Sequence, residues 1–161
     1  MDSKIDLSID RIVPVVRRIG LKPLGLLIAV LALALAGPAL AATQLFPTTL
    51  SGAAEAPAPG DPDGSGWAAV TLVAAENQVC YSVFVTGIAE PTAAHIHVAP
   101  AGEPGPVVVP LNTPGPDGYA YGCADVTPEV LNAIAGNPAG YYVNVHNAEY
   151  PDGALRGQLG P

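Results

Sequence analysis

The stretch "WAAVTLVAAENQVCYSVFVT", residues 67–86, decides the fold class. Residues 67–74 read as one strand and residues 79–86 as a second. In the second, Val79, Tyr81, Val83 and Val85 fall on one face, while Cys80, Ser82 and Phe84 fall on the other. A half-buried strand shows this period of two. "ENQ", residues 76–78, joins the pair as a hairpin turn. Working outward, the same signature recurs at residues 44–50, 93–98, 107–111, 119–124, 141–147 and 154–159. Residues 44–50 are expected at a sheet edge, because Pro47 cannot donate to a ladder. Proline- and glycine-rich turns separate the runs: "PAPGDPDGSG" at 57–66, "PAGEPGP" at 100–106, "TPGPDG" at 113–118 and "YPDG" at 150–153. One helix interrupts the series. Thr127 caps it, Pro128 suits its first turn, Glu129 suits its positive end, and Gly136 stops it. Val130, Leu131 and Ile134 form its small apolar stripe. Many short strands with frequent turns predict an all-β, antiparallel sandwich or barrel with one short helix.

The chain of 161 residues is long enough for one domain. Its N-terminus has a different character. Lys4, Arg11, Arg17, Arg18 and Lys22 precede the apolar run "LGLLIAVLALALAG", residues 24–37, and Ala39 and Ala41 then satisfy a small-residue cleavage rule. Residues 1–41 therefore read as a secretory signal peptide cut after Ala41, leaving a domain at residues 42–161. An uncleaved anchor is the alternative, although the apolar run is short for a membrane span. Arg17 and Arg18 also admit twin-arginine export. Residues 42–161 hold eleven acidic side chains against one basic one, Arg156, a net charge of −10. Such a balance argues against nucleic acid and against anionic membrane surfaces as partners. Cys80 and Cys123 form an even pair in a chain read as periplasmic or extracellular, so a disulfide is expected, with Cα atoms about 4.4–6.8 Å apart.

The three histidines carry the chemical question. In "AAHIHVAPAG", residues 93–102, His95 and His97 stand two apart, so a strand turns both to one face, about 6.6 Å apart along the chain. In "YYVNVHN", residues 141–147, Tyr142, Asn144 and His146 share a face opposite Tyr141, Val143 and Val145. If the two strands are neighbours, three imidazoles converge, and histidine nitrogen is a common ligand for zinc or copper. The competing reading is structural: neutral imidazoles that hydrogen-bond loop carbonyls. Arg156 is read as structural, tethering the last hairpin by an ion pair to Glu149 or Asp152. Trp67, Tyr141 and Tyr142 are read as core. No nucleophile elbow, phosphate loop or paired-carboxylate site stands out.

"LSGAAEAPAP", "AAHIHVAPAGEPGPVVVPL" and "YYVNVHNAEYPDGALRGQL" together resemble the CHRD (chordin-type) domain family, over roughly residues 45–159. Ala99 stands where that family often has glycine. The resemblance implies an immunoglobulin-like sandwich and no established enzymatic activity. A looser similarity is to copper–zinc superoxide dismutases, where a strand-borne H-x-H, a later valine–histidine strand and an arginine occur in the order His95, His97, His146, Arg156. The dismutase copper site needs a fourth histidine, and this chain has three. Fold analogy alone does not carry function. The leading expectation is a non-enzymatic binding or structural module of the envelope or extracellular space, with a protein or envelope ligand as partner. The alternative is a copper- or zinc-binding protein with a site on His95, His97 and His146, open to redox chemistry.

Overall fold

Eight strands and one helix account for most of residues 43–160, the part of the chain that the computed structural model describes. The expected signal peptide and its cleavage point lie outside those residues. The strands are β1 (Gln44–Ser51), β2 (Ser65–Val73), β3 (Gln78–Thr86), β4 (Pro91–Val98), β5 (Val107–Leu111), β6 (Tyr119–Asp125), β7 (Tyr141–Asn147) and β8 (Leu155–Gln158), with helix α1 (Pro128–Gly136) between β6 and β7. As the sequence indicated, Thr127 caps α1, its hydroxyl accepting from the Val130 N–H at 3.4 Å. No helix among the described residues is long and apolar enough to cross a membrane.

The strands hydrogen-bond as one antiparallel sheet in the order β5-β4-β7-β8-β1-β2-β3-β6. Its two end strands, β5 and β6, follow one another in sequence and come back together. The Asn112 side-chain amide donates to the Tyr121 carbonyl at 3.0 Å, and the Asn112 N–H donates to the Tyr81 hydroxyl at 2.8 Å. The result is a nearly closed, eight-stranded antiparallel barrel.

Alternation fills the interior. Ala68, Val70 and Leu72 of β2, Val79, Val83 and Val85 of β3, Ala94 and Ile96 of β4, and Val143 and Val145 of β7 all point inward and are buried. Leu131 and Ile134 of α1 join the same cluster. Each such valine, leucine or isoleucine side chain contributes about 1.5–3 kcal/mol when fully buried. A one-residue slip of β7 would replace Val143 and Val145 by Asn144 and His146 in that interior, so register is strongly fixed.

Three expectations need correction. Trp67 is not core: it lies on the outer face and is 41% exposed, because the buried set of β2 is the opposite one, Ala68, Val70 and Leu72. β1 is not at the end of the sheet but between β8 and β2. It is, however, paired with β8 at Ser51 alone, so Pro47 sits where its missing N–H disrupts no ladder on that side. Cys80 and Cys123 are disulfide-bonded, but their Cα atoms are 3.9 Å apart, closer than expected. The two residues are direct cross-strand partners on β3 and β6, whose side chains share the outer face.

Candidate metal centre

The outer face of β4, β7 and β8 is a grid of polar side chains set by register. Ala93 pairs with His146, His95 with Asn144, and His97 with Tyr142. On the far side of β7, Asn144 pairs with Arg156 and Tyr142 with Gln158. The three sequence-predicted histidines thus meet. One candidate ligand nitrogen from each lies within 4.8 Å of the other two, and the ring centroids are 5.2–5.9 Å apart. Nitrogens bound to one ion at about 2.0–2.1 Å need a mutual spacing of roughly 3.3 Å in tetrahedral geometry, a small closure from here. His95 Nδ1 and His146 Nε2 already stand 3.3 Å apart.

Two of the rings are oriented from behind. His97 Nδ1 donates to the Gly105 carbonyl at 2.8 Å, and His146 Nδ1 donates to the Pro151 carbonyl at 3.0 Å. Each bond leaves Nε2 as the lone-pair nitrogen, the way carbonyl partners orient metal-bound histidines. His97 Nε2 is buried and has no hydrogen-bond partner. An orphaned buried acceptor is costly unless something fills it, so the donor set fits a borderline cation such as copper or zinc. Burial pushes all three imidazoles below the ordinary histidine value. At His95 the neighbouring His146 and His97 add to the effect, and at His97 the Arg156 charge does. Neutral imidazole, the ligating form, is therefore the resting state near neutral pH.

Two loops cover this face. Residues 99–106, between β4 and β5, are pinned by β8. Arg156 donates from Nη1 to the Glu103 carbonyl and from Nη2 to the Pro100 carbonyl, both at 2.8 Å, while Gln158 Nε2 donates to the Ala99 carbonyl at 2.8 Å. Tyr142 closes the set: its hydroxyl accepts from the Gly105 N–H at 3.2 Å, its ring stacks on His97 at 5.0 Å, and the Arg156 guanidinium lies 3.5 Å over the ring. A Cβ at Gly105 would strike the Val98 carbonyl, so glycine is what lets this loop turn its own carbonyl toward His97. β5 carries a bulge opposite Ile96 and His97, a common device for aiming a side chain beside a site. Residues 148–153 form the second cover. Asn147 Oδ1 accepts from the N–H groups of Glu149 and Tyr150 at 3.1 and 2.8 Å, an Asx turn that delivers the Pro151 carbonyl to His146.

Arg156 therefore differs from its expected role. The guanidinium is 1% exposed, its hydrogen bonds run to loop carbonyls and Gln158, and the carboxylate whose charge it balances is Glu55, not Glu149 or Asp152. A buried arginine recruits whatever acceptors the fold encloses with it, and the "PAG" loop crosses β8 where Glu149 and Asp152 do not. Tyr142 is buried as expected, but in this polar layer rather than the apolar core.

Sequence reading passed over Glu55, Asn144, Gly105 and Gln158. Asn144 donates to the Glu55 carboxylate and contacts the Leu155 carbonyl at 3.4 Å. Burial pushes the Glu55 carboxyl up to about 7, against the opposing pull of Arg156. Asn144 was discoverable, since it shares a strand face with His146. Glu55 was not: 89 residues separate it from Asn144.

A family model described as the CHRD domain matches residues 46–159, which include every residue of this cluster. No curated protein and no solved structure matches the chain.

Proposed function

The chain belongs to the CHRD domain family, and on that premise we propose that it is a periplasmic or extracellular module that holds one copper or zinc ion on His95, His97 and His146. The observation that carries the proposal is the convergence of three imidazoles, one of them bearing the partnerless Nε2 of His97. Two carbonyl-held rings and one freer ring, His95, make a tridentate set, which leaves the fourth position of a four-coordinate ion to a further ligand, the pattern of sites that exchange a ligand rather than sites closed for structure. The proposal combines a non-enzymatic module of the envelope with a metal-dependent binding role. The disulfide and the acidic surface suit that compartment. We further place the architecture with the immunoglobulin-like and superoxide-dismutase-like sandwiches, reading the barrel as flattened so that β5-β4-β7-β8 faces β1-β2-β3-β6.

The test uses tag-free protein. Metal analysis after equilibration with zinc and with copper(II), followed by desalting, is expected to find one ion per chain. The same measurement on His97→Ala and His146→Ala is expected to find none. A stoichiometry unchanged in either variant, or no metal in the wild type, overturns the reading in favour of histidines that only hold loops.

A further inference from the structure

On the opposite side of the barrel the outer face of β2, β3 and β6 is bare. Trp67, Phe84 and Tyr119 are successive cross-strand partners, so their rings form one row across three strands. Trp67 and Phe84 centroids are 6.5 Å apart at 33°, and Phe84 and Tyr119 are 4.6 Å apart at 40°. Tyr121 stands two residues along β6 on the same face. Trp67 is 41% exposed, Tyr119 49% and Tyr121 77%. The chain has nine aromatic residues, one Trp, two Phe and six Tyr, and four of them are on this one face. A cluster of exposed aromatic rings marks an interaction surface.

We propose that this face is a binding platform for a neutral polysaccharide. Charge and hydrogen-bonding chemistry select the occupant. Among the described residues Arg156 is the one Lys or Arg, and it is buried, so nothing accessible there attracts an anionic polymer. A second copy would bring another eleven acidic side chains against one basic one over residues 42–161, and like net charge opposes self-association. A sugar ring presents polarised C–H bonds on its face, and these sit on the negative face of an aromatic ring. Beside Phe84, the middle ring of the row, opens a cavity of about 520 Å³ that is also lined by Gly118 and by the acidic residues Glu90 and Asp117. Carboxylates accept from sugar hydroxyls. A proline-rich peptide, the other frequent occupant of aromatic strips, offers mainly carbonyl acceptors, which carboxylates repel. This platform is independent of the metal proposal, since it lies on other strands and uses none of the same side chains.

Trp67 is the chain's one tryptophan, so its fluorescence reports on the platform directly. The exported protein is titrated with three neutral hexasaccharides: β-1,4-linked glucose, β-1,4-linked N-acetylglucosamine and β-1,3-linked glucose. At least one is expected to change the Trp67 emission saturably, with an affinity that added salt leaves unchanged. Tyr119→Ala is expected to weaken that affinity about tenfold. Tyr121→Ser, at the most exposed position, is expected to weaken it while leaving the melting temperature in place. No saturable change with any of the three sugars overturns the proposal, as does a change that both variants leave intact. A decaproline peptide that shifts the emission where the sugars do not would reassign the face to a peptide. Concentration-dependent dimerisation abolished by Tyr121→Ser would reassign it to a second copy.

Discussion

The outer face of β4, β7 and β8 and the outer face of β2, β3 and β6 obey the same alternation, yet one is buried and the other bare. On the first, β7 is buried at six of its seven positions, because the loops at residues 99–106 and 148–153 fold over it. On the second, Trp67, Tyr119 and Tyr121 stay exposed. The covered face is held by hydrogen bonds to loop carbonyls, with Arg156 at their centre. The bare face is held by a covalent bond, Cys80–Cys123, between adjacent strands. Alternation along a strand says which side chains point away from the core. It does not say whether solvent, a loop or a ligand meets them there.

Breaking the covered face should cost most. Arg156→Met strands the Pro100 and Glu103 carbonyls and leaves the Glu55 carboxylate without its cation. A loss of about 3–5 kcal/mol in urea unfolding is expected, as for other buried charges deprived of a partner. Arg156→Lys keeps the charge but not the two-pronged geometry, so it should recover only part of the loss. A loss under about 1 kcal/mol for the methionine variant would show that the loop stands without its anchor.

The staple on the bare face comes next. Replacing both Cys80 and Cys123 by serine frees a loop of 43 residues, and about 3–4 kcal/mol of stability should go with it. Metal uptake should be unaffected, since the disulfide lies on the opposite side. If the double variant loses its metal, the two faces are coupled through the core and are not independent.

Ligand linkage is a third probe. Zinc or copper at 100 times its dissociation constant should add about 2.7 kcal/mol to the wild type, and His97→Ala should add nothing over its own baseline. Without metal, pH separates the ionisable groups of the covered face. The histidines are held below their usual value of 6.5. Their stabilising contribution is complete above 6.5 and is lost as pH falls through the depressed folded values. Glu55 has the opposite sign. Raised from 4.5 to about 7, it contributes stability that is present below 4.5 and lost as pH rises through about 7. Glu55→Gln should accordingly melt higher than the wild type at pH 8 and no higher at pH 4.5. A pH-independent difference between the two would remove burial of the charged carboxylate as the cause.

The smallest effect belongs to the bare face. Tyr121→Ser should change stability by no more than about 0.5 kcal/mol, because a side chain 77% exposed loses almost no burial. A larger loss would mean that the aromatic row supports the fold as well as offering a surface.

Legible in the amino-acid order alone were the strands, the helix and its cap, the pairing of the two cysteines and the shared face of His95 and His97. The first, second and last rest on local spacing, a period of two and a Thr-Pro-Glu start, and the disulfide rests on cysteine count. It also placed His146 on the right side of β7. Only the tertiary structure decided that β4 and β7 are neighbours, that the sheet curls until β5 and β6 meet, and that Trp67 faces outward. The sign of the β2 face was ambiguous because alanine and valine occupy both of its sides. Nor could local pattern find Arg156's partners at residues 100 and 103 or bring Glu55 to Asn144. Those contacts depend on which loop crosses which strand, and that is settled by sheet order and closure, quantities to which every strand contributes and which no single segment encodes.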